Sequence, residues 1–214
     1  VVEEINKKYP FKGDKDYQIK YHLPLKEVSK EIVASKKAKY NQSILVVGYN
    51  CNNMNLKEKQ IIMPVIGNLL NGGGLSGKLP KYLREDNSLC YYVYPDYKAS
   101  NDVSFIFAGI NSKNYSKALK LIKKAVNEVK QGNITKDELN NAKQGLINII
   151  DTIEDRENNL IGDYYMTEIG FFFFLKEKKN GVKKVTIKDI IKVAKKIKIN
   201  TTFLLEGDMN NEKN

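Results

Sequence analysis

The sequence predicts an α+β fold with a mostly antiparallel sheet. Two observations carry this. Strand-like runs at 89–94 and 102–109 are joined by a short polar connection containing Asn101 and Asp102, which suits a hairpin with a longer loop. Helical patterns cluster between 115 and 196 instead of alternating with strands, which argues against a doubly wound parallel sheet. The 214 residues suffice for one well-filled core or two small ones, and a 42% hydrophobic fraction is ordinary for a globular chain.

Residues 1–8 (VVEEINKK) read as the tail of a helix, broken by Tyr9-Pro10-Phe11 and Gly13. Residues 12–24 read as a polar linker closing at Pro24. A helix tail at residue 1 carries the expectation of a preceding domain. Residues 27–39 lean to strand through Val28, Ile32 and Ala34. Residues 43–49 (SILVVGY) form a short β-branched run between polar flanks, the mark of a buried strand. Asn52, Asn53 and Asn55 form a turn. Residues 56–70 read as a helix, with Ile61, Ile62, Val65, Ile66 and Leu69 at helical spacing. Pro64 is expected to kink it, and Gly72-Gly73-Gly74 ends it.

A short helix restarts over 75–84 and leads into the two strands. Residues 115–129 form an amphipathic helix, with Ala118, Leu119, Ile122, Ala125, Val126 and Val129 on one face and lysines opposite. Gly132 stops it. Thr135 and Glu138 spell a capping box that opens a longer helix through Leu146 and Ile153 towards Arg156. Residues 160–175 read as a further helical segment buried against the core; the alternative is an exposed aromatic patch built on the phenylalanines at 171–174. Thr186 and Asp189 cap a last helix, residues 200–206 form a final strand, and a polar tail follows Gly207. The domain reading is a helix tail and linker at 1–24, one domain at 25–208 and a tail at 209–214.

The net charge of +11 is carried by lysine; the arginines are Arg84 and Arg156. An anionic partner or a solvated lysine surface would both explain it, and the scarcity of arginine and absence of a nucleic-acid motif favour the surface. No stretch approaches the roughly 20 apolar residues that span a bilayer, and no apolar signal region follows Val1. Neither a nucleic-acid nor a membrane partner is therefore expected. Two cysteines, Cys51 and Cys90, are too few for a disulfide scaffold and fit a reducing compartment better than a bridge. The expected setting is bacterial and cytoplasmic.

Several chemistries fail for lack of residues. Gly72 to Lys78 nearly spells a phosphate-binding loop, but Leu79 stands where a hydroxyl should hold Mg²⁺, and the preceding segment reads as helix rather than strand. His22 is the single histidine, so no H-x-x-E-H or H-E-x-x-H zinc motif can be written. A Cys–His or Ser–His–Asp arrangement would need the same histidine. The pairs Glu85-Asp86 and Glu154-Asp155 are adjacent, point apart and read as solvated. What remains is Arg84 at a helix end and Tyr91 at a strand start. A guanidinium offers a rigid fork of donors and a phenol offers one more; together they can hold a carbonyl oxygen as it becomes an oxyanion. The plainer reading is an arginine satisfying the last carbonyls of its helix.

At this stretch the chain resembles the insulinase-like (pitrilysin, inverted-zinc-motif) metallopeptidases, in their carboxy-terminal, non-zinc half-domain. The resemblance rests on Gly72-Gly73-Gly74, Leu83-Arg84-Glu85, Leu89-Cys90-Tyr91 and Val93. It extends to Asn41-Gln42-Ser43-Ile44-Leu45 with Gly48-Tyr49, and to Val185-Thr186, Asp189-Ile190 and 193–196. It covers roughly residues 27–207. It implies a sheet with helices on one face and a zinc-bearing half in cis or in trans, within one polypeptide or a homo- or heterodimer. It further implies a chamber for unfolded peptides between the halves. In that scheme Arg84 and Tyr91 reach the scissile carbonyl, Gly72, Gly73 and Gly74 lie near substrate, and no cofactor is held by this chain because zinc belongs to the other half. Alone the chain would hydrolyse nothing. Cys90 departs from the small residue usual there, and the glycine stretch is short beside those of processing-peptidase subunits. Two rival readings are a non-catalytic subunit of a degenerate pair and a lysine-rich nucleic-acid-binding domain.

Overall fold

The alternation in SILVVGYN becomes strand β2 (Ser43–Asn50), which sends Leu45, Val47 and Tyr49 into the core, each 4% exposed or less, and Ile44 and Val46 to the other face. Around it a computed structural model places β1 (Ile32–Ala38), β3 (Cys90–Lys98), β4 (Val103–Ile110) and β5 (Lys198–Gly207) in one sheet of order β1-β5-β2-β4-β3. The structure describes residues 28–72, 77–168 and 173–207, together with Glu4, Lys7 and Lys8. The linker expected over 12–24, the tail at 209–214 and His22 lie outside the described residues.

The antiparallel expectation holds, with one exception at the sheet edge. β2–β4, β2–β5 and β3–β4 pair antiparallel, whereas β1 runs parallel to β5, with Ala34 opposite Phe203. β3 forms the other edge, which explains how Pro95 is tolerated inside a strand: an edge position need not donate to a neighbour.

Helices cover one face. The first begins with a wide five-residue π-type turn, Glu58–Ile62, and continues as α1 (Met63–Asn71). Pro64 stands just inside α1, where a missing N–H is tolerated, so the expected kink appears as a widened turn ahead of the proline. Helix α2 (Lys78–Pro80) likewise passes through Pro80 into a π-type turn, Lys81–Glu85. Then come α3 (Tyr115–Gln131), α4 (Lys136–Glu154), α5 (Glu157–Glu168), α6 (Leu175–Lys184) and α7 (Ile187–Ala194). Gly132 closes α3 at φ 78°, a left-handed cap that glycine adopts without strain. Thr135 with Glu138, and Thr186 with Asp189, form reciprocal capping boxes as the sequence signalled. Ile66, Leu69, Ile122, Val126, Val129, Ile190 and Val193 pack on the inner sheet residues.

One expectation fails. The segment at 160–175 is not buried: in α5, Ile161 is 68%, Tyr164 54% and Tyr165 59% exposed, and Phe174 beyond it is 47% exposed. The reason is Asp163. It turns inward to meet the buried ammonium of Lys178 at 2.5 Å, and this pins the apolar residues one and two positions away to the solvent side. Phe173 does pack on the core, while Phe171 and Phe172 lie outside the described residues. Of the patch expected at 171–174, Phe174 alone is exposed among the described residues.

Some lysines pair with carboxylates inside the fold. Lys196 meets Glu58 at 2.6 Å, Lys59 meets Asp102 at 2.7 Å and Lys123 meets Glu31 at 2.8 Å.

Candidate functional site

The glycine-rich stretch divides at its middle. Gly72 caps α1 with φ 57°, its N–H donating to the Asn68 carbonyl, and Gly73 and Gly74 lie outside the described residues. Gly77 carries a constraint that motif reading missed. A Cβ there would sit 2.3 Å from the Asn71 backbone carbon and 2.4 Å from the Leu70 oxygen, so only glycine lets the chain turn back against α1. The signal was present in the sequence, one more glycine after a cluster, but the close approach is a tertiary fact.

Lys78, the residue that made the stretch look like a phosphate loop, points into the protein. It is 8% exposed, with its ammonium 2.9 Å from Glu138 of α4 and 3.6 Å from Glu128 of α3. The Tyr82 hydroxyl donates to Glu128 at 2.7 Å, and its pKa is pushed up to about 12 by burial and by that carboxylate. Leu79 and Leu83 are fully buried. Two leucines and an ion-pair network thus clamp α2 and the turn Lys81–Glu85 between the helices and the sheet, and Arg84 rides on that turn.

That turn satisfies its own carbonyls. Asp86 N–H donates to Lys81 O at 2.9 Å, the Asn87 side chain to Tyr82 O at 2.8 Å, Leu89 N–H to Leu83 O at 2.7 Å and Ser88 N–H to Arg84 O at 2.9 Å. The last carbonyls of this turn are thus met by backbone and Asn87 donors. The Arg84 side chain is 38% exposed and lies 3.8 Å from a Glu85 oxygen.

Tyr91 sits at a break in the strand register. Cys90 pairs with Ile110, yet Tyr92 pairs with Gly109, so Tyr91 is the extra residue of a β-bulge. Cys90 and Val93 are buried and Tyr91 is 81% exposed. The bulge turns the phenol out of the domain at the strand's first turn of chain. The hydrogen bonds from Ser88 and Leu89 bring this strand start alongside the end of α2. The charge of Arg84 is felt at Cys90, where burial raises the thiol pKa and the guanidinium partly offsets it. The two residues singled out from the sequence thus belong to one corner of the domain.

Among the described residues no three His, Cys, Asp or Glu side chains gather to hold a metal ion. Cys51 and Cys90 are free thiols, both buried.

The described residues thus form a helical layer on one face of a five-stranded sheet, with Arg84 at the end of one helical turn and Tyr91 at the start of β3. The chain belongs to the peptidase M16 inactive domain family, whose model matches residues 1–146. A Bacillus subtilis (strain 168) protein described as probable inactive metalloprotease YmfF is 25% identical over 187 residues, covering 87% of this chain and 43% of that protein. A conserved protein of Enterococcus faecalis V583 shares the fold with a TM-score of 0.86 at 22% identity, over 98% of this chain and 49% of that one. A Helicobacter pylori protease superposes with a TM-score of 0.67 at 17% identity, over 81% of this chain and 43% of its own. The chain spans somewhat under half the length of each of these three proteins.

Proposed function

We propose that this half-domain closes a peptide chamber against a metal-bearing half and supplies two donors to the scissile carbonyl. Arg84 brings a fixed positive charge and Tyr91 a neutral O–H, both aimed at an oxygen that gains negative charge during attack. Donors held in place before the reaction favour the charged state over the neutral ground state, which is where rate comes from. The chain contributes no metal ligand in this reading. The single observation that carries it is the bulge at Tyr91, which exposes a phenol beside the end of the helix bearing Arg84.

The test is turnover of an unstructured fluorogenic peptide by the full-length protein. Arg84→Ala and Tyr91→Phe should each lower kcat by about 10²–10³ with little change in KM, the cost of losing one oxyanion donor. Unchanged turnover in both would overturn the proposal. A second reading, a degenerate pair that binds peptide without cutting it, is favoured by the description of the Bacillus subtilis relative as inactive. Peptide binding without chelator-sensitive cleavage would select it.

A further inference from the structure

Between the helix layer and the sheet lies a cavity of about 250 Å³. Its floor follows from the strand registers. Ser104 on β4 stands opposite Tyr49 on β2 and opposite Tyr97 on β3, so three hydroxyl-bearing residues form one row across the helix side of the sheet. The roof comes from α1, α3 and the end of α7. Among the described residues no charged side chain lines the cavity. Pro64 and Gly67 on α1 and Pro95 and Tyr97 on β3 are the half-buried parts of its wall, which places the mouth between α1 and that edge strand.

Two features of this wall run against stability. Tyr49 is 4% exposed, yet its hydroxyl and that of Tyr97 are buried with no hydrogen-bond partner among the described residues. A buried donor left unpaired is costly and uncommon. Burial above all pushes both phenols well above their ordinary pKa, so both keep the proton they would donate. Gly67 is the second feature. It lies inside α1, where glycine weakens a helix, and a Cβ there would meet nothing within 4 Å. No close approach requires this glycine, unlike Gly77; what it keeps is room.

We propose that the cavity is a binding site for a neutral, largely apolar small molecule of about two fused rings, carrying one hydrogen-bond acceptor such as a ketone oxygen for the tyrosine hydroxyls. A cavity of roughly 150 Å³ holds benzene, so this one suits a bicyclic ligand. An uncharged lining selects against an ion, which would shed water there without a counter-charge. All the walls belong to this one domain, so the site is independent of the peptide-handling reading.

The experiment titrates the full-length protein with two probes of nearly one shape, the bicyclic ketone indanone and its hydrocarbon indane, by isothermal calorimetry. Indanone should saturate one site and bind about three- to tenfold tighter than indane, the worth of one added hydrogen bond. The double variant Tyr49→Phe/Tyr97→Phe keeps both rings and should bind indanone only as well as indane, with the indane affinity unchanged. Gly67→Leu fills the cavity from the helix side; it should melt at or above wild type by circular dichroism and bind neither probe. Absence of saturable indanone binding overturns the inference, since water alone would then serve the two phenols. Equal affinity for the two probes overturns it as well, and so does a tyrosine double variant that binds indanone like wild type. Should Gly67→Leu not fold, the tyrosine variant still decides. Turnover in Arg84→Ala and Tyr91→Phe bears only on the catalytic proposal.

Discussion

Replacing Lys78 by methionine should destabilise the protein by about 2–3 kcal/mol. The lysine is 8% exposed and serves Glu138 at 2.9 Å and Glu128 at 3.6 Å. Removing one member of a fully buried pair costs about 3–5 kcal/mol, because the remaining charge has no partner. Here Glu138 is 34% exposed and can regain water, while Glu128 keeps the Tyr82 hydroxyl. Both features lower the figure, and methionine preserves most of the buried stem. For a chain of this length the expected fall in Tm is about 5–10 °C, followed by circular dichroism. Glu138→Gln should cost less, and the double variant should lose less than the sum, since both changes remove one interaction. A Lys78→Met variant melting within about 1 °C of wild type would refute the clamp. Stabilisation of wild type by Mg-ATP that the variant lacks would revive the phosphate-loop reading.

Three further outcomes follow from other contacts. Glu58, Glu31 and Glu138 are pushed up by burial but pulled further down by their lysines and hydrogen bonds, and Asp189 is lowered chiefly by Thr186, so all four folded pKa values lie below the ordinary ones. The unfolded chain then binds more protons in acid. Tm should be level above about pH 5 and fall as the pH drops through the folded values, more shallowly in Glu58→Gln; a flat profile to about pH 3 would contradict the pairing. Gly132→Ala forces a left-handed residue and puts a Cβ 2.5 Å from Ile191, so a loss of about 1–2 kcal/mol or more is expected in urea titration, and a stable variant would contradict the cap. Cys51 is fully buried, and burial, with Asp102 adding to it, raises its thiol to about 12. Iodoacetamide at about pH 8 should modify it only after denaturation; rapid native labelling by mass spectrometry would show the site open.

The parts of the fold legible in the sequence are those whose signal is local. Thr135–Glu138 and Thr186–Asp189 carry their partners within one turn, and both boxes form as written. The alternation in β2 names its own buried face. The start of the first helix held a comparable signal that went unread: Asn55 and Glu58 exchange hydrogen bonds at 2.9 and 3.0 Å, the same spacing with asparagine in the leading place. The error at 160–175 has a different origin. Leu160, Ile161, Tyr164 and Tyr165 are apolar enough to suggest burial, but burial is a contest between faces. It was decided by Asp163 finding Lys178, fifteen residues away on another helix. Apolar content alone cannot foresee which face a distant cation will pull inward.

The candidate site shows the same division at finer grain. Residue chemistry was visible: an arginine and a tyrosine, close in sequence, in a chain with few arginines and no histidine motif. Their presentation was not. From Leu89 onward, strict alternation would bury either Leu89, Tyr91 and Val93 or Cys90, Tyr92 and Tyr94. The protein does neither, burying Cys90 and Val93 three apart. The extra residue is defined by which positions on β4 it fails to pair with, Ile110 and Gly109, so the information lies in another strand. Gly109 has a second part in this, because its missing side chain is what the Tyr92 ring covers. A glycine seventeen residues downstream of Tyr92 thus helps to set the ring that follows Tyr91. A bulky residue at 109 would disturb Tyr92 first and, through it, the exposure of Tyr91.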